Sequence, residues 1–181
     1  MNKDKIFDEL LILKCHEGDN RAFALLIKRW NKKLIYFACK FTHDIETAQD
    51  VVQNAWIAIH KGLYKLQDPS KFSTWAFRIT YNKSMDALRS AKNKSEVTLN
   101  EKMDVEDSIE EDDSWNTISD LLKKLPEQHK LILTLFYLEQ QSVKQIASVL
   151  KLPEGTVKSR IFYARELLKK KYKEVNHEKY Q

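Results

Sequence analysis

The chain has 181 residues, 43% of them apolar and 31% charged, with a net charge of +5, which permits one packed domain or two small ones. Three glycines and three prolines are too few for a sheet protein rich in tight turns, and alternating strand patterns are hard to find, so the expected class is all-α. Two cysteines without a CxxC pair and five scattered histidines argue against a zinc site or a disulfide framework and for reduced thiols, and no cofactor is expected.

The first residues, MNKDKIFDELLILK, hold an apolar run too short for a secretory leader, and no run reaches the length of a membrane span, so the expected location is the cytoplasm. A short amphipathic helix is predicted from about Phe7 to Cys15, ended by the break Gly18-Asp19-Asn20. The next helix places Phe23, Leu26, Ile27, Trp30, Leu34, Phe37, Ala38 and Phe41 at helical spacing, a stripe best read as core. Asp44 can cap a third helix whose apolar face is Ala48, Val51, Val52, Ala55, Trp56 and Ile59. Its other face shows Gln49, Asp50, Gln53 and Asn54. Solvated polarity is the ordinary reading of such a face; a docking surface is the sharper one, since amides and one carboxylate can bond a partner at low desolvation cost.

After the loop Gln67-Asp68-Pro69-Ser70, a fourth helix mixes Lys71, Arg78, Lys83, Arg89, Lys92 and Lys94 with Phe72, Trp75, Phe77 and Tyr81. Cations for phosphates and rings for unstacked bases are what single-stranded nucleic acid requires. Phe72, Ala76 and Ile79 share one face and are expected in the core, while Trp75 and Tyr81 could serve either purpose. From Ser95 to Asp113 the chain carries nine carboxylates and one lysine with few apolar residues, the composition of a flexible tether and a natural domain boundary. The charge is segregated accordingly: residues 1–91 hold fifteen cations against ten carboxylates, residues 92–150 seven against twelve, and residues 151–181 nine against four. Two basic ends around an acidic middle suggest two anion-binding surfaces.

Ser114 can cap a helix through Lys124, and Pro126 opens the next, EQHKLILTLFYLEQ. Ser142 and Gln145 form a capping-box pair before a short helix with Val143, Ile146, Ala147 and Leu150 on one face. A turn, Lys151-Leu152-Pro153-Glu154-Gly155, leads to a longer helix from near Thr156, with Val157, Ile161, Ala164 and Leu168 in one stripe. Ser159, Phe162, Tyr163 and Glu166 lie opposite; Lys158, Arg160 and Arg165 flank the stripe. A short helix, a turn containing glycine and a longer basic helix make a helix-turn-helix, whose second helix can enter the major groove. The whole is an all-α chain of two small helical domains joined by an acidic flexible linker, with expected boundaries at 1–92, 93–113 and 114–181.

Several segments together resemble bacterial RNA polymerase sigma factors of the extracytoplasmic-function type. In the first domain the resemblance rests on Ala48-Gln49-Asp50-Val51-Val52-Gln53-Asn54-Ala55-Trp56, on Phe72, Trp75, Arg78, Ile79 and Asn82 at their spacing, and on Asp86, Leu88 and Arg89. In the second it rests on Leu125-Pro126, Ile146-Ala147 and Pro153-Glu154-Gly155-Thr156-Val157-Lys158-Ser159-Arg160, the most specific of the set. It covers the chain from about Gly18 to Tyr172.

The resemblance implies a role for each surface. Gln49, Asp50, Gln53 and Asn54 would dock on the large catalytic subunit of core RNA polymerase; Gln49 and Asn54 stand where the family usually has glutamates, which makes this face less charged. Lys71, Trp75, Arg78, Asn82, Lys83 and Arg89 would open the promoter's −10 element and hold its unpaired strand, with Asn82 reading a base. Thr156, Lys158, Ser159, Arg160, Phe162 and Tyr163 would meet the −35 element as duplex, with Tyr163 where relatives often carry arginine. The partners implied are core RNA polymerase, promoter DNA and, commonly in the family, an anti-sigma factor.

Two other classes compete. A stand-alone helix-turn-helix regulator explains residues 126–173 but leaves the amide-rich and cation–aromatic helices unused. An enzyme such as a nuclease needs paired carboxylates beside a basic cleft, a phosphate-cradling glycine loop or a nucleophile elbow, and the sequence offers none of these.

Overall fold

The computed structural model describes residues 3–42, 44–94 and 125–178. The chain divides into two compact units, Met1–Val105 and Glu106–Gln181. Among the described residues there are seven α-helices and no strand. The expected linker from Ser95 onward and the expected Ser114–Lys124 helix lie outside the described residues.

The first unit is built from α1 (Lys3–His16), α2 (Asn20–Thr42), α3 (Ile45–Gly62) and α4 (Phe72–Lys94). Helix α1 starts at Lys3, a turn earlier than its apolar pattern predicts, because Asp4 and Asp8 hold it to α2. Arg29 Nε donates to Asp8 Oδ1 at 2.7 Å, its Nη2 to Asp4 Oδ1 at 3.0 Å, and Trp30 Nε1 to Asp8 Oδ2 at 3.0 Å. Gly18, at φ 87°, takes the left-handed turn between α1 and α2 that a side chain would strain. Asp44 caps α3 as predicted, accepting from the Thr47 amide at 2.7 Å.

Every residue predicted for the apolar face of α3 is buried. Helix α3 packs against α2, whose buried residues include Leu26, Leu34 and Phe37, and against α4, whose buried residues include Phe72, Ala76 and Phe77. Trp56 Nε1 ties α3 to α2 through Asn31 Oδ1 at 3.0 Å. Two predictions for α4 are corrected here. Phe77, grouped with the candidate base-stacking rings, is buried against Phe37 and Trp30, with ring centres 5.0 and 5.8 Å apart. Ile79, expected in the core, is only partly covered. The helix turns its buried side further toward Phe77, Thr80 and Ser84, and the two hydroxyls are satisfied by the carbonyls of Ala76 and Thr80, each at 3.0 Å.

The second unit contains α5 (Glu127–Leu133), α6 (Val143–Leu150) and α7 (Glu154–Glu178). The stretch EQHKLILTLFYLEQ, predicted as one helix, widens after α5 into a π-helical segment, Thr134–Leu138, closed by the Glu139 amide on the Thr134 carbonyl at 3.0 Å. In α6 the buried residues are Ile146, Ala147, Val149 and Leu150. Val149 is added to the predicted face and Val143 is only partly covered.

The capping box is present in both directions: the Gln145 amide donates to Ser142 Oγ at 3.2 Å, and the Ser142 amide to Gln145 Oε1 at 2.8 Å. Ser142→Ala removes one of these bonds and leaves a helix-start amide to water. Urea unfolding should show the second unit less stable by about 1 kcal/mol; an unchanged midpoint would mean that the cap adds nothing there.

Lys151 adopts the left-handed conformation at φ 54° and ends α6, with the Leu152 amide returning to the Ala147 carbonyl at 3.1 Å. Pro153 follows, and α7 begins at Glu154, two residues before the predicted start. Val157, Ile161 and Ala164 are buried, and Leu168 packs on the cluster of Leu125, Leu133 and Ala164. The helix-turn-helix predicted from residues 142–173 is thus formed by α6 and α7.

Candidate nucleic-acid interface

Burying Val157, Ile161 and Ala164 fixes which side of α7 faces outward. Lys158, Ser159, Phe162 and Tyr163 are all exposed, while Thr156 and Arg160 are partly covered at the edge of the buried stripe. Phe162 and Tyr163 are 59% and 60% exposed, their rings edge-to-face at 5.7 Å. Two neighbouring aromatic side chains held in water contribute nothing to the core, which points to an external contact. Ser159 Oγ donates to the Thr156 carbonyl at 3.0 Å, which leaves its lone pairs for a further donor.

On α4, successive residues are about 100° apart around the axis. Trp75, Arg78, Asn82 and Arg89 therefore share one narrow stripe, away from Phe77, Thr80 and Ser84, with the Phe72 ring beside the indole of Trp75 at 6.3 Å. Lys83, one residue past Asn82, is turned away from that stripe and partly covered, so the predicted set is not a single surface. Arg78 and Arg89 are exposed, the latter 3.6 Å from Asp86 Oδ1. Lys71 stands before α4 in a short 3-10 turn, with its Nζ 3.2 Å from Asp68 Oδ2. The Ser70 hydroxyl first, then Lys71, holds the Asp68 carboxyl below its ordinary range, so a phosphate approaching Lys71 competes with a carboxylate.

Trp75 and Tyr81 divide their surface between protein and solvent. Tyr81 packs edge-on against Phe41 at 5.3 Å. Trp75 leans on the end of α3: a Cβ placed on Gly62 would lie 2.8 Å from Trp75 Cζ2, so glycine there makes room for the indole. Both rings are partly covered, and so both are part core and part surface. Asn82 is also partly covered, but its Oδ1 is buried and has no hydrogen-bond partner. An acceptor left unpaired inside a protein costs free energy unless a ligand satisfies it.

The third predicted group is together on α3. Gln49, Asp50, Gln53 and Asn54 are all exposed on the face opposite Val51, Val52 and Ala55, and Asn54 Nδ2 donates to the Asp50 carbonyl at 2.9 Å. Arg165, one of the cations flanking the buried stripe, is exposed on the same side of α7 as Lys158, seven residues further on. Burial raises the Cys15 and Cys39 thiols above their ordinary range, which lowers the thiolate fraction and with it their reactivity. Among the described residues no cluster of histidine, cysteine and carboxylate side chains could hold a metal, and no helix is long and apolar enough to cross a membrane.

An all-helical chain with a basic helix-turn-helix in one unit and a cation–aromatic helix in the other has the build of a DNA-binding transcription protein. Family models match both units: "Sigma-70 region 2" over residues 26–94 and "Sigma-70, region 4" over residues 115–168. The chain is 33% identical to the RNA polymerase sigma-H factor of Pseudomonas aeruginosa, over 90% of this chain and 92% of that one. It is 28% identical to the ECF RNA polymerase sigma factor SigW of Bacillus subtilis, over 91% and 96%. Among solved structures it resembles CnrH, determined in complex with the cytosolic domain of CnrY, at a TM-score of 0.58 and 26% identity over 92% of this chain and 97% of that one.

The chain therefore belongs to the sigma-70 family, within its extracytoplasmic-function group. As a sigma factor it binds core RNA polymerase and directs promoter recognition, DNA melting and transcription initiation.

Proposed function

We propose that this sigma factor divides its work among the three surfaces described above. The unit holding α1–α4 docks on core polymerase through Gln49, Asp50, Gln53 and Asn54. It captures the opened −10 strand along Trp75, Arg78, Asn82 and Arg89, with Lys71 and Lys83 contributing charge. The unit holding α5–α7 reads the −35 element as duplex through Lys158, Ser159, Phe162 and Tyr163, with Thr156 and Arg160 at the margin. Residues 1–92 and 114–181 form the two functional domains, and 93–113 the tether between them.

The observation that carries this reading is the exposed face of α7, where an aromatic pair and a lysine stand with no folding purpose. The unpaired Oδ1 of Asn82 supports the second surface, since an extruded base brings donors of its own. Phosphate contacts position a protein on DNA while base contacts specify it, so duplex reading and strand capture call for separate units. The protein performs no covalent chemistry in this scheme; the polymerase does. It works in the cytoplasm, where core polymerase and promoter are. CnrH was solved with a protein bound to it, the cytosolic domain of CnrY, which supports a protein regulator for this chain too, with an anti-sigma factor the candidate its family suggests.

Run-off transcription with purified core polymerase over a fragmented genomic library tests the reading as a whole. New transcripts with shared upstream sequences are expected when the protein is added. Absence of both transcripts and core binding would favour a regulator that binds DNA alone. For the docking surface, Asp50→Ala should weaken competition for core roughly tenfold, about 1.4 kcal/mol, with the unfolding midpoint unchanged because the side chain is exposed. Undiminished competition would remove Asp50 from that surface.

A further inference from the structure

Arg165 has a setting that none of the roles above uses. Its guanidinium carbon lies 5.5 Å from the ring centre of Phe136 and 5.4 Å from that of Tyr137. The two rings meet edge-to-face at 5.0 Å, and both come from the π-helical segment Thr134–Leu138. Arg165 nevertheless stays exposed, and Tyr137 is half-exposed. A guanidinium resting on aromatic faces is held in orientation while its charge stays available for an anion.

Its place on α7 decides what it can reach. Lys158, Phe162, Arg165 and Lys169 fall at i, i+4, i+7 and i+11, one row running from the start of the helix toward its end. A recognition helix in the major groove brings its N-terminal residues to the base edges, so Arg165, two turns after Lys158 on the same row, is carried past the bases toward the phosphates of the groove wall.

We infer that Arg165, seated on the Phe136–Tyr137 shelf, is a phosphate clamp that sets the register of α7 on the upstream promoter element without reading a base. The inference rests on the proposal that α7 enters the major groove. It gives the π-helical widening a purpose: the wider turn brings two consecutive rings beneath one side chain of a neighbouring helix. It also separates two cations of similar exposure, Lys158 nearer the base edges and Arg165 on the wall.

The test is a salt titration of closed-complex binding by the assembled holoenzyme, on a promoter recovered from the genomic library and on versions with single base changes upstream. Arg165→Ala should reduce the slope of log affinity against log salt by about 0.9, the signature of one lost phosphate contact, and should weaken binding alike on every upstream sequence. Arg165→Lys should keep the slope but bind severalfold more weakly, because an ammonium keeps the charge and loses the planar seat. An unchanged slope in Arg165→Ala, with Lys158→Ala weakened, overturns the clamp and leaves the placement of α7 intact. Weakening confined to one base change overturns it in favour of base reading, and Arg165→Lys binding as tightly as the parent removes the shelf's role. If neither Arg165→Ala nor Lys158→Ala alters binding, the groove placement of α7 falls, and the clamp with it.

Discussion

Trp30→Ala should destabilise the first unit by about 3–5 kcal/mol, the range for emptying a buried tryptophan site. The indole is 5% exposed and lies edge-to-face against Phe72 at 5.2 Å and beside Phe77 at 5.8 Å, so it joins α2 to α4. Its Nε1 also reaches Asp8, which joins α2 to α1. The substitution therefore opens a void where three helices meet, and a domain with only about 5–15 kcal/mol of total stability can hardly absorb that. Asp8 keeps Arg29 as a partner, so the loss is mainly one of packing and not of a stranded charge. Trp30→Phe keeps most of the ring contacts and gives up the hydrogen bond, at about 1 kcal/mol. Hydrogen exchange resolved by peptide is the measurement: protection should fall across α1–α4 and hold in α5–α7. A uniform fall through both units, or none, would contradict this account of the core.

Lys158→Ala should weaken protection of the −35 element by about 1–3 kcal/mol if the ammonium meets a base edge. The residue is exposed, one position past the buried Val157 and one turn before the exposed Phe162, so its removal costs the fold little. The effect should therefore appear in promoter footprints of the holoenzyme while thermal unfolding is unchanged. It should also vary with the base pair beneath it, which distinguishes Lys158 from the sequence-independent loss expected at Arg165. A footprint identical to the parent's would remove Lys158 from the −35 contact and leave the reading to Ser159, Phe162 and Tyr163.

The helices themselves were largely legible in the chain. Periodicity found the buried faces of α2, α3 and α7, and capping chemistry found Asp44 and Ser142, because a helix start needs a side-chain acceptor within three residues and the sequence shows it. Errors gathered where the neighbours decide. Phe77 and Trp75 are both aromatic residues in a cationic helix, yet one is wholly buried between α2 and α4 and the other leans on Gly62 with part of its surface free. Helical spacing says which residues share a face. It does not say how wide a face the adjoining helices cover.

The sequence by itself determined the class, the helix-turn-helix and the three groups of candidate contact residues, since each depends on residues close together in the chain whose pattern is set by local helical geometry. Only the tertiary structure decided how exposed each of those residues is. It left Asn82 Oδ1 buried and unpaired, and brought Phe136 and Tyr137 under Arg165 across nearly thirty residues of chain. Those outcomes follow from how whole helices pack, and the packing of one helix against another is a property of distant residues meeting, which no local pattern encodes.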